Sequence, residues 1–329
     1  MMRHGVAIIG SGSATPAQTL DNEGMSQVVE TSDEWISSRT GIRQRRLAGS
    51  TESLTSLATI AAQQAIEMAG VAATDIDLVV LATSTADDLF GSASKLQASV
   101  GATRAVAFDL TAACSGFIFG MVTASQFIQT GAYKNVLLVG ADVLSRWVDW
   151  SDRRTCVLFG DGAGAVVMQA QERDRLRGFD LHSDGTQNGC LTLAFNSDSQ
   201  ELLDGTTVEK GTFEPVQMKG QDIYKFAVRQ VPAVIKNALE KSRLTVEDVD
   251  WLLLHQANQR ILDAAANRLK IPSEKVISNM AKYGNTSAAS IPIALDEYVR
   301  EGKIKPGDII ASAGFGAGLT WGAVIFEWG

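Results

Sequence analysis

Thiols and imidazoles are scarce in this chain of 329 residues. Three cysteines, Cys114, Cys156 and Cys190, are an odd and sparse set that does not make a disulfide framework. The only histidines are His4, His182 and His255, and neither CxxC nor HxxxH spacing occurs, which argues against a metal site. No apolar run reaches the length of about 18 residues that a membrane span needs. Basic residues are the minority charge: 29 Lys and Arg against 37 Asp and Glu leave −8. That balance argues against nucleic acid and anionic membranes as general partners. The N-terminus passes almost directly into a strand-like run, Val6–Gly10, without the graded regions of a secretion signal, so the chain is read as cytoplasmic or as a mature organellar form.

Apolar residues make up 45% of the chain, ample for a large core. Strand-like runs alternate with helical patterns throughout, the mark of an α/β layer fold. Asp77–Thr83, Ala105–Asp109 and Asn135–Gly140 read as buried strands. Ser53–Ala69 carries a helical stripe and stops at Gly70, and Cys114–Thr130 reads as a helix closed by Gly131. Thr31-Ser-Asp-Glu34 has the form of a capping box ahead of Trp35. Asp184–Lys219, polar and weakly patterned, is expected as an extended loop over a site.

The second half echoes the first. Asp75-Ile-Asp-Leu-Val-Val-Leu-Ala matches Asp248-Val-Asp-Trp-Leu-Leu-Leu-His255, and 173 residues separate Asp77 from Asp250. The same offset carries Val136–Gly140 onto Ile309–Ala313. Gly160-Asp-Gly-Ala-Gly164 resembles Gly314-Phe-Gly-Ala-Gly318, each ahead of an apolar run. A shared offset across several elements indicates tandem duplication of a unit of about 160–170 residues. The expected halves are 1–172 and 173–329, with a site where loops of both meet.

The offset brings Cys114 onto position 287, inside Lys282-Tyr-Gly-Asn-Thr-Ser-Ala-Ala-Ser290, so Cys114 and Asn285 fall at equivalent strand-to-helix turns. His255 ends a second-half strand. Taken singly, a free cysteine is most often a buried structural residue, a strand-end histidine an ordinary one and an Asn in Gly-Asn-Thr-Ser a turn residue. Together they are a nucleophile, an imidazole and an amide, the set that thiol chemistry needs. A helix N-terminus is expected to lower the Cys114 pKa. A neutral His and an Asn amide can both donate to one enolate oxygen. Cys156 and Cys190 are read as structural. Gly160–Gly164 lacks the Lys-Ser/Thr ending of a phosphate loop and is read as close packing at a turn.

Thr31-Ser-Asp-Glu-Trp-Ile-Ser-Ser-Arg-Thr-Gly-Ile-Arg43, Ala-Ala-Cys114-Ser-Gly-Phe, Asp152-Arg-Arg, Phe159-Gly-Asp-Gly-Ala-Gly164, His255-Gln-Ala-Asn258, Gly284-Asn-Thr-Ser-Ala-Ala-Ser290, Asp296-Glu and Gly314-Phe-Gly-Ala-Gly318 occur in order. This series resembles the β-ketoacyl-acyl-carrier-protein synthase III family over essentially the whole chain. The resemblance implies a thiolase fold with α-β-α-β-α layers, and a homodimer. It implies that acetyl-CoA and malonyl-acyl carrier protein are condensed, with loss of CO2, into acetoacetyl-carrier protein and CoA, needing no cofactor beyond these substrates. By the same resemblance Cys114 is the acylated nucleophile, and His255 and Asn285 promote decarboxylation. The backbone N–H groups of Cys114 and Ala317 form the oxyanion hole, with Ala where the family often has Gly. Trp35 and Arg153 sandwich the CoA adenine, Arg39 contacts its phosphate, and Asn258 lies along the pantetheine. Phe90 reaches into the partner's acyl pocket, and Phe315 stands beside the leaving carboxylate. Lys225, Arg260 and Arg268 receive the carrier protein. Related condensing or acyl-transfer enzymes of specialised metabolism are the alternative. Elongating synthases resemble a Cys-His-His pattern, where this chain has Asn285, and a thiolase would need a second catalytic cysteine near the C-terminal Gly-rich segment. A non-catalytic relative would be expected to lack Cys114, and a cysteine hydrolase would release free acid.

Overall fold

The computed structural model describes residues 4–329. One sheet holds β1 (Gly5–Ala14), β2 (Leu78–Ala82), β3 (Val106–Leu110), β4 (Asn135–Val143) and β5 (Asp161–Gln171), in the spatial order β1-β5-β4-β2-β3. The other holds β6 (Leu176–Ser183), β7 (Trp251–Leu254), β8 (Ile309–Gly316) and β9 (Thr320–Glu327), ordered β6-β9-β8-β7. β2 pairs parallel with β4, and β7 with β8; the strands beyond, β5 and β1 or β9 and β6, are antiparallel. Four strands of each sheet thus correspond one to one. The fifth, β3, has as counterpart only a parallel bridge between Leu252 and Val276.

Among the helices, α1 (Asp33–Thr40) lies at the edge of the stack and buries Ile36 in the outer apolar cluster of the second sheet. α2 (Leu54–Ala69) covers the outer face of the first sheet. α3 (Gly116–Gln129) packs between the sheets. α4 (Gly220–Ser242) and α5 (Gln259–Leu269) cover the outer face of the second. α6 (Ser290–Arg300) shares the middle layer with α3. The result is the α-β-α-β-α stack of the thiolase fold, with one apolar cluster per helix layer. Position in the stack explains composition. α2, covering one face, is amphipathic, begins at the reciprocal cap of Ser53 and Ser56 and ends at Gly70 in the left-handed conformation. The middle helix α3 carries no charge and buries residues all round. α6 lies directly on β5, where a Cβ on Gly164 would stand 2.7 Å from the Ile293 nitrogen. Its Asp296, fully buried, accepts from Ser11 Oγ (2.8 Å) and Ser13 Oγ (2.7 Å) of β1 and from Arg300 Nε (2.9 Å).

Several expectations are corrected. Gly162 and Gly164 lie inside β5 rather than in a turn, and Gly314 and Gly316 inside β8. The cap of α1 is Ser32, whose Oγ accepts the Trp35 N–H at 3.1 Å; Thr31 lies one residue too early, and its buried hydroxyl has no partner. β3 is half-exposed rather than buried, because it is an edge strand. Asp184–Lys219 is not a plain loop: it contains an antiparallel hairpin, Phe195–Leu203 with Thr206–Phe213, standing out into solvent.

The internal repeat is shifted by one residue past its first strand. The Asp77 N–H donates to Asn135 C=O, and the Asp250 N–H to Ile309 C=O, so β4 and β8 align at 174 rather than 173. The turns before α3 and α6 agree: Ala113 (φ +48°) and Ser287 (φ +51°) are the matching left-handed residues. One residue reverses a side chain's face. The counterpart of Cys114 is therefore Ala288, and Ser287 is free to point at Cys114.

Candidate active site

Cys114 follows Ala113 in a single 3₁₀ turn that opens into α3. The matching turn, Ser287–Ala289, opens into α6 and faces it. Two chain reversals, one from each half, thus meet at the middle of the stack. Between them and the second sheet lies a narrow cavity of about 110 Å³. It is lined by Cys114, His255, Asn285, Asn258, Phe315 and Gly316, with a wall of Leu191, Met218, Ile223 and Tyr224 leading outward. Gly316 is required by close approach, since a Cβ there would stand 2.7 Å from the Cys114 nitrogen.

Cys114 is almost completely buried, and its Sγ accepts a hydrogen bond from Ser287 Oγ at 3.2 Å. Burial pushes its thiol up to about 12; the Ser287 hydrogen bond opposes this and the nearby Asp142 carboxylate adds to it. The expected lowering at a helix N-terminus is thus overturned by desolvation, and the resting thiol is protonated at neutral pH.

His255 leaves the end of β7, its N–H bonded to Ala313 C=O at 2.8 Å. Its ring packs edge-on against Phe315, centroids 5.2 Å apart, and Nδ1 meets Ser290 Oγ at 2.7 Å. Ser290 Oγ also accepts the Gln256 N–H at 3.2 Å. With the Ser290 proton donated to Nδ1, the imidazole proton sits on Nε2. Burial lowers the His255 pKa to about 3, so the ring is neutral through the physiological range. Asn285 is pinned at both backbone groups, N–H to Leu158 C=O (2.9 Å) and C=O from Gly160 N–H (3.0 Å). Its Oδ1 accepts the Ser287 N–H at 2.9 Å. A backbone donor needs an acceptor, so the amide is oriented with its NH₂ as the remaining donor. A neutral imidazole N–H and an amide NH₂ opening on one cavity can polarise a carbonyl or hold an enolate oxygen.

The other sequence-derived positions fall in three places. Asn258 lines the cavity and caps α5, accepting the Arg260 N–H at 2.9 Å. At the mouth, the Arg260 guanidinium lies 5.9 Å from the centre of the Tyr224 ring. Lys225 is exposed on the next position of α4, and Arg268 spans the two helices to Val228 C=O at 2.7 Å. Arg39 and Arg153 stand 4.6 and 4.9 Å from the centre of the Trp35 ring, and Arg153 also donates to Glu30 C=O at 2.9 Å. A nucleobase stacking there would displace a guanidinium. Phe90 is 100% exposed and does not line the cavity of its own chain. Ala317, half-buried, follows Gly316 at the rim. Cys156 is core and Cys190 half-buried. Among the described residues no group of three His, Cys, Asp or Glu side chains could hold a metal ion. Sequence reasoning passed over Ser287, Ser290 and the Ile223–Tyr224 wall; the wall was accessible from helical spacing, since Gly220, Ile223 and Tyr224 share one face of α4.

A duplicated five-layer fold with cysteine, imidazole and amide gathered where the halves meet defines a thiolase-fold condensing enzyme, an acyltransferase. Two family models match the chain: 3-oxoacyl-[acyl-carrier-protein] synthase III over residues 108–185, and the C-terminal part of the same synthase over 239–328. The β-ketoacyl-[acyl-carrier-protein] synthase III of Trichormus variabilis is 68% identical over 329 residues, all of both chains. The solved synthase III of Aquifex aeolicus is 44% identical, covers 98% of this chain and all of its own, and superposes with a TM-score of 0.90. That of Thermus thermophilus is 41% identical, with 98% and 99% covered and a TM-score of 0.90. The chain belongs to the β-ketoacyl-acyl-carrier-protein synthase III family. It is an acyltransferase whose decarboxylative condensation initiates fatty-acid synthesis.

Proposed function

We propose that the chain joins acetyl-CoA to malonyl-acyl carrier protein with Cys114 as nucleophile and His255 and Asn285 as the decarboxylating pair. The observation that carries this reading is the cavity that holds all three, with no other cysteine on its wall. Cys114 attacks the acetyl thioester and keeps the acetyl group; the carbonyl oxygen is received by the N–H groups of Cys114 and Ala317. Malonyl thioester then enters against His255 and Asn285. Their two donors stabilise the enolate as CO2 leaves, and the apolar face of Phe315 favours loss of the carboxylate's charge. The enolate carbon attacks the acetyl group, giving acetoacetyl-carrier protein. The narrow apolar wall suits a pantetheine arm. Trp35, Arg39 and Arg153 would take the CoA nucleotide, with Asn258 along the arm. No helix among the described residues is long and apolar enough to cross a membrane, and the proposed setting is the cytoplasm. The halves 1–172 and 173–329 are proposed as copies of one ancestral unit. Intact mass spectrometry tests the reaction: acetyl-CoA should add a two-carbon adduct to Cys114, and malonyl-carrier protein should remove it. Free acetate in place of acetoacetyl product would mean a hydrolase.

The active form is proposed to be a homodimer. Edge strand β3, with exposed Val106, is tied through Asp109 to Ser92 N (3.0 Å), just past the exposed pair Leu89 and Phe90, a combination that a second copy would cover. In that dimer Phe90 would close the partner's acyl pocket. Phe90→Ala should then raise the relative use of four- to six-carbon acyl-CoA primers by about tenfold, as removing a ring gives added methylenes space. An unchanged ranking across a primer series would detach Phe90 from the pocket.

Lys225, Arg260 and Arg268 are proposed to receive the acidic carrier protein at the cavity mouth, a local patch of opposite sign on a chain of net charge −8. Lys225→Glu should raise the KM for malonyl-carrier protein several-fold at low salt and less at high salt, where screening already weakens the attraction. Acetylation by acetyl-CoA should hardly change. Equal KM values at low ionic strength would remove Lys225 from the docking face.

A further inference from the structure

Ser115 stands at the N-cap of α3, where a serine side chain ordinarily accepts a helix N–H, yet its hydroxyl makes no such bond. It turns away from the helix instead. Fully buried, Ser115 Oγ lies 2.7 Å from Ala112 C=O and 2.7 Å from the hydroxyl of Thr320, the first residue of β9. Thr320 Oγ1 in turn stands 3.1 Å from Ala112 C=O and 3.0 Å from Ala317 C=O. The Ser115 N–H also donates to Ala112 C=O, at 3.2 Å. Two hydroxyl protons serve these contacts, so one hydroxyl donates to the other and the remaining proton goes to a carbonyl. In either direction, the Ser115–Thr320 bond ties residues 205 positions apart in the chain.

The two tied segments carry the N–H groups of Cys114 and Ala317. Cys114 lies between Ala112 and Ser115, and the left-handed residue Ala113 (φ +48°) aims its nitrogen. Ala112 C=O, held by these donors, fixes the start of that turn. Ala317 lies in the short turn from β8 to β9. On one side Gly316 packs against the Cys114 nitrogen. On the other, Leu319 exchanges backbone hydrogen bonds with Asp184, at 2.8 and 3.0 Å. Packing limits how near the segments come, and the Thr320 hydroxyl adds direction by engaging the peptide that follows Ala317. The positive φ of this turn falls on Gly318 (+126°), so the Ala317 methyl is carried without left-handed strain.

We infer that Thr320, with Ser115, is a positioning residue for the oxyanion hole: the hydroxyl pair holds the N–H groups of Cys114 and Ala317 at the spacing that receives a thioester oxygen. This deepens the reading of those two N–H groups as the hole and rests on it. The consequence differs between steps. A tetrahedral oxyanion forms when Cys114 is acetylated and again when the enolate attacks the acetyl carbon, so both steps need the hole. Loss of CO2 does not, because His255 and Asn285 hold the enolate oxygen. Loosening the hole should therefore spare decarboxylation and strand its product. An enolate facing a poorly polarised acetyl carbonyl takes a proton from water at its carbon instead, and leaves as acetyl-carrier protein.

The test compares the parent with Thr320→Val, which keeps the shape and deletes the hydroxyl, Thr320→Ser, which restores it, and Ser115→Ala. Thr320→Val should slow single-turnover acetylation of Cys114 by about 10- to 100-fold, the scale of a misplaced donor. Its KM for acetyl-CoA should stay within about twofold. Loaded with acetyl by prolonged incubation and given malonyl-carrier protein, it should release CO2 within about threefold of the parent rate. The ratio of acetyl- to acetoacetyl-carrier protein should rise about tenfold. Thr320→Ser should return both readouts towards the parent, and Ser115→Ala should move them the same way as Thr320→Val. Infrared spectra of the acetyl-enzyme, made with carbonyl-labelled acetyl-CoA, separate two kinds of failure. In the parent the thioester C=O stretch should lie below that of acetyl-CoA in water, and in Thr320→Val it should move back towards it. A parent band at the solution value would sink the hole itself, and the positioning role with it. A lowered parent band that Thr320→Val leaves in place, with an unchanged product ratio, would sink the positioning role alone. CO2 release damaged as much as acetylation would mean a general loss of structure and also overturns the proposal. If Thr320→Val does not fold, Ser115→Ala decides by the same readouts.

Discussion

Cys114→Ala is expected to reduce condensation by more than about 10³-fold and to abolish the acetyl adduct, because no thiolate remains to carry the acyl group between the two half-reactions. The fold should survive. The side chain shrinks by one sulfur in a cavity that is already open, and one side-chain hydrogen bond, from Ser287 Oγ, is lost. Cys156→Ala is the contrasting case. It empties a fully buried core position, so it should cost stability, on the order of 1 kcal/mol, but retain most activity. Both variants are read by steady-state assay, adduct mass and thermal melting. A stable Cys114→Ala enzyme that still forms acetoacetyl product from the two thioesters would refute the covalent route.

The second large effect is expected at His255 and Asn285, and it should be divided between half-reactions. His255→Ala and Asn285→Ala each remove one donor to the enolate, a loss worth about 10²–10³ in rate. Decarboxylation should fall by that factor, while acetylation of Cys114 from labelled acetyl-CoA falls much less. Since burial holds the His255 pKa down at about 3, its N–H is present across the working range, and decarboxylation by the parent should show no acidic limb near pH 6 or 7. Such a limb, present in the parent and absent in the His255 variant, would mean that the ring titrates during turnover. Equal damage to both half-reactions would mean that the proposed division of roles is mistaken. Ser290→Ala is informative beside them. It removes the partner of Nδ1 and lets the imidazole adopt either tautomer, so its decarboxylation should drop partway towards that of His255→Ala.

Much of this was legible in the chain because periodicity and turn chemistry are local. The strand ahead of His255, the turn carrying Cys114, and the helix from Ser53 to Gly70 are each written in a dozen residues or fewer per boundary. The cavity gathers Cys114, His255, Asn285, Asn258 and Phe315, all readable from motif and position. What was not legible depends on distant partners. Asp142 lies in a strand reading Asn-Val-Leu-Leu-Val-Gly-Ala-Asp-Val, where nothing local says that four donors from two other segments will enclose it. The thiol's upward shift was missed for the same reason: a helix terminus is visible in sequence, but the desolvation that outweighs it is a property of the assembled layers. The one-residue slip in the repeat was hidden because Val136–Gly140 matches Ile309–Ala313 in character as well as the correct register does.

The contact between β1 and α6 has a consequence for synthesis. Ser11 and Ser13 find their partner in Asp296, and Arg300 Nη2 donates to Ser11 C=O at 3.1 Å. Serine hydroxyls near the start of the chain are therefore satisfied by a carboxylate that leaves the ribosome 285 residues later. At about 5–20 residues per second that interval is roughly 15–60 s. Once β5 is complete the first sheet stands with its inner face covered only in part, by α3, until α6 is made. The nascent first half is then a sticky, incomplete object that needs shielding from its neighbours on the polysome. The enzyme's yield in a cell should depend on holdase capacity more than its finished stability would suggest, and most under fast translation.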